Sequence, residues 1–168
     1  MRPRRLARVD ARPLNFTVRR LFLMSWQPHT PLEFIAFFVA LWIVVSLSLS
    51  LIGGWWTLAA RYRLDGTFDG KKWYMCSASF RRFVGYSGVL TMGANARGLY
   101  LAAWVPFRLG HPPLLIPWQD VRRSKNNRFS IINVALELGG DSPVRVSINK
   151  SLVRRFEEVL GHELPTAV

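Results

Sequence analysis

Residues 34–52, FIAFFVALWIVVSLSLSLI, contain no charged side chain. Nineteen residues wound as an α-helix span roughly 28 Å, close to the hydrocarbon thickness of a bilayer. A buried helix in a soluble core rarely needs so long an unbroken apolar run. A cleaved secretory signal has a shorter apolar region and a small-residue cleavage site, whereas bulky Trp55 and Trp56 follow here. The run therefore reads as a retained single-pass transmembrane helix, with its membrane core at about 34–52.

The start of this helix is written in the residues before it. Thr30 is the candidate N-cap, Pro31 the first helical residue, and Glu33 stands three residues after the cap. That is the capping-box pattern, and it places negative charge at the positive end of the helix dipole. Beyond the apolar run, Trp55 and Trp56 suit the headgroup level, and Arg61 and Arg63 reach toward the polar phase. The expected helix covers 31–63. Ser46, Ser50 and Gly54, spaced four apart, lie on one face and make a candidate helix–helix contact through which two copies could associate. Serine and glycine are also simply tolerated in membrane helices, and the spacing alone does not choose between these readings.

Charge is segregated around the run. Residues 1–32 carry seven arginines and one acid, and residues 61–168 carry sixteen Lys/Arg against eight Asp/Glu. Residues 1–29 read as a basic, disordered extension. Sidedness is contested within the sequence itself. The seven upstream arginines place the N-terminus in the cytoplasm by the positive-inside rule, but only Arg19 and Arg20 lie close to the helix. Arg61, Arg63, Lys71 and Lys72 lie comparably close on the other side, and a start at Met24 would remove the upstream arginines altogether. The expectation adopted is an inner (cytoplasmic) membrane protein with its C-terminal domain in the cytoplasm.

After residue 63 the texture turns to β. Two Asp-Gly pairs, at 65–66 and 69–70, mark a turn-rich linker over 64–72. Short β-prone runs follow at 73–83, 89–93, 99–107, 114–121, 129–138 and 144–149. ANARG and GGDSP sit where hairpin turns belong. Residues 151–160 read as an amphipathic helix with Ser151 as cap and Gly161 as stop, and 162–168 as a tail. The fold class is α+β: one N-terminal transmembrane helix, then a small antiparallel β-sheet or half-barrel over 73–161 plugged by a C-terminal helix.

LTMGANARGLYLAAW, then PPLLIPWQDVRR, a late hairpin and a C-terminal helix together resemble the pleckstrin-homology-like and GRAM-like domains. With LIGGWWTLAARYR in front, the chain is similar to bacterial proteins that tether such a module to one membrane helix. The resemblance covers about 73–161 and rests on short, mostly structural motifs. It implies binding of a lipid headgroup, a peptide or a protein rather than catalysis.

The chemistry-bearing residues are sparse. His29, His111 and His162 are scattered, and HExxH, CxxC, Walker and G-x-S-x-G patterns are all missing, so no metal, cofactor or nucleophile is indicated. Cys76 reads as a small core residue. A membrane-bound, hydrolase-like enzyme whose groups converge only in space stays open as the alternative to a non-catalytic binding or scaffold module. Positive charge is the stronger signal. Arg61, Arg63, Lys71, Lys72, Arg81, Arg82, Arg122, Arg123, Lys125 and Arg128 are candidate contacts to anionic lipid headgroups or an acidic protein partner, each worth on the order of 1 kcal/mol at an anionic leaflet. Ordinary solvated surface charge is the competing reading for each. Basic residues also stand near Trp73, Phe80 and Phe83, but without a recognised motif nucleic acid is the weaker partner. HPPLLIPW, 111–118, reads as architecture: its prolines suit the entry and end of an edge strand, and His111 reads as a loop residue, with a membrane-dipping loop as the lesser alternative.

Overall fold

Two strands at opposite edges of one sheet are joined by three residues, and that connection bends the whole domain. A computed structural model describes residues 30–125 and 132–167. The sheet comprises β1 (Lys71–Phe80), β2 (Val84–Asn95), β3 (Gly98–Ala103), β4 (Leu114–Pro117), β5 (Val121–Arg123), β6 (Asn133–Leu138) and β7 (Val144–Asn149). Their order is β4-β3-β2-β1-β7-β6-β5, and every pairing is antiparallel. Laid flat, seven strands would hold β4 and β5 about 29 Å apart. The 3₁₀ turn Trp118–Asp120 links them, and four Cα steps reach about 15 Å at most. The sheet therefore curls into a near-barrel.

Strand β1 is the shared spine. It pairs with β2 along its length, and only its last residues, Ala78–Phe80, also pair with β7. Register shifts between Trp73 and Cys76, and again before Ala78, allow the change of direction. Both sheet edges are covered by chain segments. Arg63 bridges Leu114, and the Leu64 N–H donates to the Pro113 carbonyl at 2.8 Å. At the other edge Thr166 bridges Arg123 in parallel, so 162–167 includes an edge-covering segment rather than a free tail.

The chain divides into two compact units, Met1–Phe38 and Val39–Val168. In the first, the described residues begin helix α1 (Pro31–Gly53), and the Glu33 N–H donates to Thr30 Oγ1 at 3.3 Å, the expected N-cap bond. Helix α1 is long and apolar enough to cross a membrane by length and composition. It does not run on to residue 63. Gly54 adopts left-handed geometry (φ 81°), and a second helix, α2 (Trp55–Tyr62), starts after it. Hydropathy carries no information on that dihedral, which only glycine adopts freely.

Trp55, expected at the headgroup level, is wholly buried in the domain core beside Phe80 and Tyr86, while Trp56 is exposed. The C-terminal helix α3 (Lys150–Leu160) buries Leu152, Val153 and Phe156 in the same core. Its cap is Asn149, whose side chain accepts the Ser151 N–H at 2.8 Å, rather than Ser151 itself. The expected strand 73–83 ends at Phe80, and its last residues form the turn into a β2 that starts earlier than 89. Residues 114–121 split into β4 and β5 around the 3₁₀ turn, with Pro117 closing edge strand β4.

Candidate functional site

A buried aromatic cluster lies where α1 gives way to α2. His111 is 1% exposed, not a solvated loop residue. Its Nε2 is 2.7 Å from the Tyr86 hydroxyl, and its Nδ1 is 3.2 Å from the Leu109 carbonyl. Its ring meets Trp55 and Tyr86 edge-on, with centroids at 5.1 and 5.4 Å. The Trp55 indole N–H donates to the Pro112 carbonyl at 3.0 Å. HPPLLIPW thus clamps the strand domain to the helices: His111 and Pro112 hold Trp55, and Pro113 accepts from Leu64.

Burial sets the protonation of this cluster. Desolvation lowers the His111 pKa, against opposing hydrogen bonds from the Leu109 and Phe107 backbone. Desolvation also pushes the Tyr86 phenol up to about 12. Both groups are therefore neutral near pH 7, and the short contact between them is a neutral hydrogen bond. Cys76 is likewise buried with its thiol pKa raised by desolvation, opposite to what a reactive thiolate needs. Among the described residues, no group of three or more His, Cys, Asp or Glu is placed to hold a metal ion.

Ser46 and Ser50 are buried as well, and Ser50 is buried against this chain's own loop. The Ser50 hydroxyl donates to the Gly110 carbonyl. A Cβ on Gly54 would lie 2.9 Å from Arg81 Nε and 3.1 Å from Val144. Ser50 and Gly54 thus each have a chain segment close against them. What approaches Ser50 and Gly54 within this chain is the segment around Gly110 and the β1–β2 turn.

The basic candidates separate into groups that sequence reasoning had treated alike. Arg81 and Arg82 form the tip of the β1–β2 turn, both in left-handed geometry (φ 47° and 70°), with Phe83 beside them at 88% exposure. Among the described residues neither guanidinium has an ion-pair partner. Lys71 and Lys72 stand at the other end of β1, opposite Ala94 and Gly93, nine residues or roughly 30 Å away along an extended strand. Lys72 Nζ lies 5.6 Å from the Phe68 ring centroid and 6.0 Å from that of Tyr100.

The remaining arginines are partly neutralised. Arg123 is half-buried and bonded to Glu157 at 2.5 Å, so it is a structural ion pair rather than a free contact. Arg122 is exposed but opposite Glu137 in the β5–β6 register. Arg61 faces Asp141 at 3.5 Å and Arg63 faces Asp65 at 3.3 Å, both exposed pairs, worth little in water. Lys125 is exposed, and Arg128 lies outside the described residues, as does the 1–29 extension. No protein-family model, curated protein or solved structure matches this chain.

Proposed function

We propose that the chain is a membrane-anchored, non-catalytic binding module. It holds a pleckstrin-homology-like domain against the anionic surface of the leaflet from which α1 emerges. The seven-stranded curled sheet with its C-terminal helix supports the domain reading, and the apolar length of α1 supports the anchor. The observation that carries the lipid reading is the β1–β2 turn. Left-handed geometry costs a side-chain-bearing residue roughly 1–2 kcal/mol, which is why such turns favour Asn-Gly. Here two arginines occupy it, beside the end of α1 and next to an exposed phenylalanine. That strain is explained if the two guanidinium groups meet phosphates while Phe83 enters the headgroup layer. On this reading the domain lies on the cytoplasmic side, which a reporter fused after Val168 checks.

Replacing Arg81→Asn with Arg82→Gly separates binding from folding. The double variant is expected to unfold no more easily than the parent, yet to retain less anionic lipid when the full chain is extracted from mixed anionic and neutral vesicles. Equal lipid retention would refute the lipid role and leave an acidic protein partner as the ligand to seek.

A further inference from the structure

The segment between β3 and β4 does not pass over the outside of the barrel. It folds down along α1. The rings of Phe107 and Trp42 are 6.2 Å apart, Gly110 packs on Leu47 and Ser50, and the Ser50 hydroxyl holds the Gly110 carbonyl. Trp42, Ser46 and Ser50 recur every four residues and so share one helix face. Trp42 lies eleven residues before Gly53, about 16 Å along the helix axis. A headgroup layer is only about 5–8 Å thick. If α1 leaves the hydrocarbon near Gly53, Phe107 lies beneath the headgroups.

We infer that residues 104–109 are a second membrane-inserted element, seated among the acyl chains of the leaflet beside α1. The inference rests on the membrane reading of α1. Three features of the loop agree with it. First, its outward side chains are apolar: Trp104 is 62% exposed and Val105 66%, with Leu109 exposed as well. Second, three of its five backbone N–H groups, those of Trp104, Phe107 and Arg108, are bonded within the protein, which eases the burial of a non-helical segment at this depth. The Phe107 N–H donates to Trp104 at 2.8 Å, Arg108 to Val105 at 3.2 Å, His111 to Arg108 at 2.9 Å, and the Trp104 N–H to Val89 at 2.8 Å. Pro106 has no N–H to satisfy. Third, its single charge, Arg108, is exposed on a long stem that can turn the guanidinium toward the headgroup side.

The apolar surface continues from this loop onto the barrel. Trp104 walls a groove of about 270 Å³ together with Tyr74, Met75, Val89 and Leu90. Met75 is thrust outward at the β1 bulge with φ 53° and 81% exposure. A lipid acyl chain is the occupant that fits, because the groove is continuous with a surface already facing the leaflet.

The test places a spin label at Val105→Cys or Leu109→Cys, in a Cys76→Ala background, on the full chain in phosphatidylcholine–phosphatidylglycerol vesicles. Val44→Cys on the exposed face of α1 and Arg97→Cys in the β2–β3 turn serve as reference sites. Labels at 105 and 109 are expected to be as shielded from a water-soluble nickel chelate, and as open to oxygen, as the label at 44. Two loop sites guard against a local disturbance at either one. Nickel access at 105 and 109 equal to that at 97, with 44 still shielded, would overturn the loop insertion and leave the span intact. Nickel access at 44 as well would overturn both.

Discussion

The two ends of strand β1 carry the same residue types and use them in opposite ways. At one end Arg81 and Arg82 sit beside Phe80, Phe83 and Tyr86; at the other, Lys71 and Lys72 sit near Phe68, Trp73 and Tyr100. At the junction end the aromatic rings turn inward. Phe80 and Tyr86 close around Trp55 and His111, so the charges are left at a strained tip with no ion-pair partner among the described residues. At the distal end Phe68 and Tyr100 stack at 4.4 Å as a small cluster of their own, and Lys72 lies over it. A basic pair next to aromatics therefore has no single meaning. What decides it is whether the rings serve the core or serve the cation.

If the junction is core, its removal should be the most damaging change in the domain. Trp55→Ala is expected to cost about 3–5 kcal/mol, since it empties a fully enclosed site and orphans the Pro112 carbonyl. Chemical unfolding of the full chain in detergent, followed by near-UV circular dichroism, measures this. A loss under about 1 kcal/mol would mean that the junction is an appendage. Ser50→Leu should come next, at about 1–3 kcal/mol, because a large side chain forces the Gly110 segment off α1. Ser50→Ala removes only the hydroxyl bond and should cost about 1 kcal/mol. Equal effects of the two would show that the hydrogen bond matters there and the close approach does not.

Much of the scaffold was legible because its signals are local. The turn residues of ANARG and GGDSP do join β2 to β3 and β6 to β7, the apolar stripe of 151–160 forms α3, and Pro117 ends an edge strand. The junction was not legible, for equally physical reasons. His111 acquires its meaning from Tyr86, 25 residues away. Pro112 acquires its meaning from Trp55, 57 residues away. No periodicity relates these positions. The spacing of Ser46 and Ser50 was visible, but small residues specify close approach without saying what approaches. Arg81 and Arg82 looked like the end of a strand because nothing about arginine announces left-handed geometry.

Acid should act on the junction specifically. The His111 pKa is lowered by burial, so the unfolded chain takes up its proton at a higher pH than the folded one. Its contribution to stability is thus complete above about 6.5, the unfolded value, and declines as pH falls from there toward the folded pKa. One such group gives a slope of at most about 1.4 kcal/mol per pH unit. Unfolding midpoints measured between pH 7.5 and 5 should fall with acid in the parent chain, and His111→Gln should flatten the profile in that window while lowering overall stability. A parent profile that is flat there would mean that His111 is not held neutral by its surroundings.

The smallest expected effect falls at the distal end and completes the comparison. Lys72→Ala removes a cation from above the Phe68–Tyr100 stack, an exposed interaction worth about 0.5–1 kcal/mol. Stability should drop by that much. Anionic-lipid retention should stay at the parent level, because the Lys72 ammonium is engaged over the Phe68 and Tyr100 rings rather than presented at the turn. The double change at Arg81 and Arg82 should give the mirror image, with stability kept and lipid lost. If Lys72→Ala instead released lipid as strongly as the turn variant, the charges would be acting through the net field of the domain. The distinction between a strained tip and a stacked cation would then carry no functional weight.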